Sequence, residues 1–458
     1  MTSKTLLPVD KVFVPGLDSE YTHVERDNAP QVAKIRQYVH QKGYLIPVVG
    51  PTKMGKTVLV TRTVPDAFYI DGSWITEAQD FWVRLAAKLD IPTSQNGSRT
   101  NGDTSKWGFK AKLDLILGSA ESQFGGEHSR VIAKGWTSDI PADQAVTAAI
   151  KALNEVDQSA VIIIDDFHYM PPSVRAHVVA SLKGLCANGA TGVLITLPHH
   201  RNEAVTQIQD MIGRNKVATL EGWTPSELEE IAKLGFKKLN LVDPNGSFGQ
   251  ILAQESYGSP QLMQALCLSF VRDVNAIKEE QQEPTELVAP ESWSEFFQEQ
   301  VDERAFEWLE TLVFGPPVRG QDRRVFDLQD GRKLDGYQLI FAALKAGGPV
   351  LSTKVRDLKH IITTQLLVNG AADEYARLNA TTKLKQLTKI ASRTLSAQHE
   401  DDLENEDDDL PTVAQEEALP NNKHQPLFEF TTRRSGEIDI LEPYLAYALK
   451  WASDGLLI

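Results

Sequence analysis

Eight residues, Gly50-Pro-Thr-Lys-Met-Gly-Lys-Thr57, have types and spacing that point directly to a chemistry. Glycines at Gly50 and Gly55 let the backbone close around an anion. The peptide N–H groups of such a loop, continued by a helix N-terminus, make a concave site suited to a polyphosphate. Pro51, Thr52, Lys53 and Met54 supply the backbone of that cradle, Lys56 a point charge for the outer phosphates, and Thr57 a hydroxyl for Mg²⁺. The pattern also arises by chance, so its surroundings matter. Tyr44-Leu-Ile-Pro-Val-Val49 before it reads as a short buried strand, and Val58-Leu-Val-Thr-Arg62 after it opens a helix.

A second group complements the first. Ala160-Val-Ile-Ile-Ile-Asp165-Asp166 is an apolar run that ends abruptly in two acids, 108 residues beyond Thr57. Such a run places its acids at the carboxyl edge of a parallel sheet, where open α/β sheets bind ligands. Asp165 is then a holder of Mg²⁺, and Asp166 the group that orients or deprotonates an attacking water. Two acids capping the next helix would give the same local pattern. Thr196 ends the following strand, where a hydroxyl can sense a terminal phosphate. Arg214 stands before a helical segment, a place from which a guanidinium can reach a neighbouring subunit's phosphate, and Arg201 is a weaker candidate for that role. Gly258-Ser259-Pro260 ends one helix and starts another, which reads equally as ordinary helix punctuation or as a lid turn whose Pro260 contacts base or phosphates. His168, His199 and His200 have no Cys or carboxylate partner at ligand spacing, so no protein-only metal centre is expected.

The elements that must hold these groups follow from periodicity. Helices are expected over 30–41, 77–89, 141–156 and 173–187, and strands over 44–49, 67–70, 160–164 and 192–197. Alternation of this kind implies a parallel sheet with helices on both faces. Residues 93–135, rich in Ser, Gly, Asn and Lys, read as an insertion with a short helix at 110–117. Residues 224–281 read as wholly helical. Further on, helices are expected at 334–347, 351–366 and 375–396, followed by two strands within 427–441 around Ser435-Gly436. The fold class is therefore α/β, a P-loop NTPase sheet followed by a helical lid and a winged-helix domain. The domain limits are 1–222 for the ATPase part, 223–285 for the lid and 286–458 for the winged helix. An acidic run at 399–420 interrupts the last of these.

Composition bounds the reading. At 458 residues with 41% hydrophobic and 24% charged residues, the chain fits a globular protein of about three domains. No apolar run approaches the roughly 20 residues of a membrane span. The N-terminal stretch has no apolar signal-peptide core, so a cytoplasmic protein without a membrane partner is expected. Cys186 and Cys267, both in apolar helical contexts, read as reduced core thiols. The net charge of −15 is concentrated: Glu400 to Glu417 holds ten acids and no Lys or Arg, and without it the chain would carry −5. That acidity is therefore weak evidence against nucleic-acid binding.

With these parts placed, residues 10–290 resemble the STAND branch of P-loop ATPases, related to AAA+ proteins of the Orc/Cdc6 type. Val12-Phe-Val-Pro15 with Tyr21-Thr-His-Val-Glu-Arg26 is similar to the opening motif of that group, which implies Val24 and Arg26 as walls of the adenine site. Asp165-Asp166 matches the double acid, Tyr257-Gly-Ser-Pro260 resembles the STAND lid motif, and Leu441 to Trp451 looks like the closing segment of the winged helix. Two departures stand out. The lid motif has no Arg where Orc-type proteins place a second sensor. Within these residues there is also no long repeat region and no effector domain, which would leave sensing and output to protein partners.

The resemblance implies an ATP- and Mg²⁺-dependent switch that assembles on binding ATP, as a homo-oligomer, and is reset by hydrolysis, in bacterial signalling or anti-phage defence. Asp166 is one methylene shorter than the Glu of many relatives, so hydrolysis is expected to be slow. A second reading is a duplex-DNA-binding ATPase (initiator, transposition helper or regulator). It rests on Lys383, Lys385, Lys389 and Arg393 with Arg433 and Arg434 at the hairpin tip. A third is a nucleotide-binding scaffold without turnover. The acidic run is read as a solvated linker or as a DNA mimic for the basic face.

Overall fold

The computed structural model describes residues 6–27, 29–89, 91, 141–197, 216–317, 323–348, 350–368, 371–391, 427–431 and 436–457. The expected insertion and its helix, Arg201, Arg214, His199, His200, the acidic run, Arg393, Arg433 and Arg434 lie outside the described residues. The chain divides into two compact units. The sheet unit comprises 26–50 and 56–221, and the helical unit 1–25, 51–55 and 222–458.

The sheet unit is built on five parallel strands, β1 (Leu45–Val49), β2 (Phe68–Asp71), β3 (Val161–Asp165), β4 (Thr191–Thr196) and β5 (Ala218–Thr219), in the order β2-β3-β4-β1-β5. Its helices are α1 (Pro30–Tyr38), α2 (Lys56–Thr63), α3 (Ala78–Lys88), α4 (Ala142–Glu155) and α5 (Pro172–Ala187). β1, β3 and β4 are buried along their whole length, which is why they read as unbroken apolar runs rather than as alternations. Leu45, Ile162, Ile164 and Leu194 enter one core with Phe81 of α3, Ile150 of α4 and Leu182 of α5. The alternate residues Ile46, Val48, Ile163 and Val193 are buried on the opposite face, on which α1 packs against α2 and β5. This is the α/β fold of a P-loop NTPase. The strand order places β4 between β1 and β3, a register seen in Val49 opposite Thr196 and Ile164 opposite Leu194.

The helical unit has its own continuous core, running from Val9 and Phe13 through Phe270 and Leu309 to Tyr447 and Leu457. Its first three longer helices are α6 (Pro225–Lys238), α7 (Ser247–Gln254) and α8 (Pro260–Ser269). Local chemistry sets their starts. Thr224 caps α6 in a capping box with Glu227, and Ser259 caps α8, with Pro225 and Pro260 at first helical positions. α9 (Trp293–Glu299) and α10 (Glu303–Phe314) follow, then α11 (Gly336–Ala346), α12 (Val355–Ile361), α13 (Ala371–Leu378), α14 (Ala380–Ala391) and α15 (Pro443–Trp451). Two short strand pairs, β6 (Leu241–Val242) with β7 (Thr285–Glu286) and β8 (Val325–Asp327) with β9 (Lys333–Asp335), accompany these helices. An antiparallel sheet of three short strands, β10 (Ser352–Lys354), β11 (Phe428–Thr431) and β12 (Glu437–Ile440), stands in the order β10-β12-β11.

Three expectations are corrected here. Residues 224–281 are not wholly helical. Asn240 adopts a left-handed backbone after α6, and Leu241–Val242 then pairs with Thr285–Glu286. The helix expected over 351–366 begins as strand β10, whose Ser352, Thr353 and Lys354 pair with Asp439, Ile438 and Glu437. The single helix expected from 375 is two, α13 and α14, broken at Asn379 with φ of 49°. Asn tolerates that conformation better than other non-Gly residues.

Candidate functional site

The loop 50–57 leaves the carboxyl end of β1. Its ends, Gly50 and Lys56–Thr57, belong to the sheet unit, and its middle, Pro51–Gly55, belongs to the helical unit. Gly50 is required by packing: a Cβ there would lie 2.5 Å from the Leu220 carbonyl oxygen beyond β5. Gly55 has φ of 78°, a backbone that favours glycine.

Within the sheet unit the reactive groups meet at one edge. The buried Lys56 ammonium donates to the loop's own Gly50 carbonyl at 2.9 Å. Thr57 Oγ1, at the start of α2, donates to Asp165 Oδ2 at 2.6 Å. The same oxygen accepts from the Tyr69 hydroxyl at 3.0 Å, and Asp165 Oδ1 accepts the Asp166 N–H at 2.9 Å. A hydroxyl and a carboxylate oxygen side by side form a hard-oxygen donor pair that fits Mg²⁺. Asp166 sits in a left-handed conformation, φ 49°, at the turn leaving β3. Burial, then the neighbouring Asp165 and Asp71 carboxylates, push its carboxyl from 3.8 to about 6, with Lys56 opposing. Burial first, and then Asp165, hold the Tyr69 phenol well above its ordinary value, so it serves as a donor. Thr196 Oγ1, at the end of β4, is buried with no hydrogen-bond partner among the described residues. β4 lies between the strand that feeds the loop and the strand that carries the acids, so this unpaired hydroxyl stands at the middle of the edge.

Arg26 is buried, its guanidinium 3.5 Å from the Glu221 carbonyl oxygen. Val24 packs, half-buried, against the helical unit's core. Pro260 opens α8, and a Cβ on Gly55 would come 3.9 Å from its Cγ. The loop middle is tied down by several bonds in the helical unit. Ser259 Oγ donates to the Lys53 carbonyl at 3.1 Å, and Trp223 Nε1 to the Met54 carbonyl at 3.1 Å. Thr52 and Lys53 both bond Glu442, the residue that caps α15.

Tyr69, Asp71 and Glu442 were not legible as site residues. Tyr69 and Asp71 follow from the pairing of β2 with β3, which sets Asp71 opposite Asp165. An acid at the end of β2 is a weak signal, and nothing local marks Glu442. Lys383 departs from the expected basic face: it is half-buried, 5.3 Å from the Tyr337 ring, and burial lowers its pKa.

No family model and no curated protein matches the chain. Among solved structures it is similar to Cdc6p from Pyrobaculum aerophilum, at 13% identity over 98% of this chain and 100% of that one, with a TM-score of 0.41. It is similar to ORC2 from Aeropyrum pernix at 12% identity, covering 98% and 97%, with a TM-score of 0.45. A signal-transduction ATPase with numerous domains from Pyrococcus horikoshii, bearing a tetratricopeptide-repeat sensor, matches at 16% identity over 70% of this chain and 38% of that one, with a TM-score of 0.32.

Proposed function

We propose that this chain is a P-loop ATPase that works as a nucleotide-dependent switch. The observation that carries the reading is the convergence of Lys56, Thr57, Asp165, Asp166 and the unpaired Thr196 hydroxyl at one edge of a parallel sheet. ATP would lie along loop 50–57, its phosphates on the peptide N–H groups, with Lys56 exchanging its bond to Gly50 for a phosphate oxygen. Thr57 and Asp165 would hold Mg²⁺, which neutralises phosphate charge when bound. Asp166, ionised above about pH 6, accepts a proton from water as its oxygen bonds the terminal phosphorus. The bond from that phosphorus to the bridging oxygen breaks, releasing ADP and phosphate. Thr196 donates to the terminal phosphate, Arg26 is the sheet unit's candidate for the base side, and Val24 and Pro260 are the candidates on the helical unit. Arg214 is kept as a trans-acting candidate for a homo-oligomer formed on ATP.

A switch is favoured over a plain hydrolase because Pro51–Gly55 packs with residues 222–458, where filling the loop bears on the lid (223–285) and the winged helix (286–458). Protein partners would supply the trigger and the output, in signalling or defence. Purified protein should release phosphate from ATP slowly, and Lys56→Ala should bind neither ATP nor ADP. Normal binding and turnover by Lys56→Ala would refute the reading. Among the described residues no helix is long and apolar enough to cross a membrane.

A duplex-DNA-binding ATPase is the second reading. It is supported by helices α12 to α14 preceding the β11–β12 hairpin, the element order of a winged helix, and by Lys385 lying exposed on α14. Salt-dependent binding to a DNA duplex, lost in Lys385→Glu, would favour it.

A further inference from the structure

The loop built to take an anion already faces one from its own chain. Thr52 N–H donates to the Leu441 carbonyl at 3.3 Å. Thr52 Oγ1 lies 2.9 Å from that carbonyl and 3.1 Å from Glu442 Oε2. Lys53 Nζ lies 2.7 Å from Glu442 Oε1 and 4.3 Å from the centre of the Tyr444 ring. The Glu442 carboxylate is buried, and its Oε1 also caps α15 through the Tyr444 N–H at 3.2 Å. A polyphosphate on this loop competes for the Thr52 N–H, the Thr52 hydroxyl and the Lys53 ammonium. It also meets a carboxylate where solvent screening is weak. ATP brings one more negative charge than ADP, so Glu442 opposes the triphosphate more than the diphosphate.

We infer that Glu442 is a specificity determinant of the phosphate loop, biasing it toward ADP and away from ATP, an inference that rests on the nucleotide-binding reading of the loop. Linkage makes the effect reciprocal: whatever Glu442 costs ATP, bound ATP costs the contact of Glu442 and α15 with the loop. ADP then leaves α15 held, and ATP loosens it.

The test is equilibrium binding of ADP and of a non-hydrolysable ATP analogue to the full-length protein and to Glu442→Gln and Glu442→Ser. Gln keeps the shape without the charge, and Ser keeps an oxygen at the helix cap. At an effective dielectric of about 20, one extra charge roughly 12 Å from the carboxylate should shift the affinity ratio in both variants about tenfold toward the analogue, and a nearer charge should shift it further. In the unaltered protein, the amides of residues 437–451 should exchange faster with the analogue bound than with ADP. An unchanged ratio, a shift toward ADP, or equal loss of both affinities would overturn the inference. If the variants fail to fold, equal exchange with the two nucleotides would overturn it. Binding of both nucleotides with an unchanged ratio defeats only this inference, whereas no binding of either by the unaltered protein defeats the nucleotide reading with it.

Discussion

Replacing Asp166 by Asn should stabilise the metal-free protein at neutral pH while removing hydrolysis. In the folded chain its carboxyl is raised from 3.8 to about 6, chiefly by burial and then by Asp165 and Asp71. The folded state therefore holds a proton more tightly than the unfolded state. Below about pH 4 both states are protonated and the group costs nothing. Between about 4 and 6 the unfolded state ionises first, so stability falls as pH rises, and above 6 the full cost is present. The limit of that cost is about 3 kcal/mol. Asp166 retains partial access to solvent, which screens the repulsion and brings the expected gain for Asn to about 1–2 kcal/mol. For a unit of this size the melting temperature should rise by about 2–6 °C at pH 8, by about half as much at about pH 5, and hardly at all near about pH 3.5. Thermal melts of both proteins from pH 3.5 to 8, in chelator, measure this directly. A gain independent of pH, or a loss at pH 8, would refute the argument that burial and carboxylate repulsion strain this site.

Three further outcomes follow from single contacts. Tyr69→Phe removes a donor from Asp165 Oδ2. It should raise the Mg²⁺ concentration for half-maximal ATP hydrolysis about tenfold, while ADP affinity without metal stays unchanged. Gly50→Ala sets a Cβ against the Leu220 carbonyl, and should destabilise the sheet unit by about 1–3 kcal/mol in urea unfolding. Cys267 is fully buried, and burial holds its thiol well above the ordinary value. With Cys186 also buried, neither should react with iodoacetamide at pH 8 until the protein is unfolded, as mass spectrometry would show.

Much of the sheet was readable because its strands announce themselves. Ile162, Ile163 and Ile164 are buried on both faces, so the run is apolar without alternation and is bounded by Gln158-Ser159 and two acids. β5 went unread because two residues, Ala218 and Thr219, carry no period. β10 went unread because Ser352-Thr-Lys354 is polar and its pairing with β12 joins residues far apart in the chain. The break at Asn379 depends on one backbone conformation that a periodic pattern passes over.

The chemistry of the site was local, and the sequence alone determined it. Gly50, Gly55, Lys56 and Thr57 lie within one turn of loop and helix, and Asp165 and Asp166 end one buried run. Their spacing along the chain is therefore their geometry. What surrounds those groups is non-local, and only the tertiary structure decided it. β4 inserts between β1 and β3, which brings Thr196 to the middle of the edge. The register of β2 on β3 sets Asp71 opposite Asp165. Glu442 reaches Lys53 across 389 residues of chain. Strand order and long-range contacts are set by which apolar faces bury one another, and that competition is settled over the whole chain rather than within any segment.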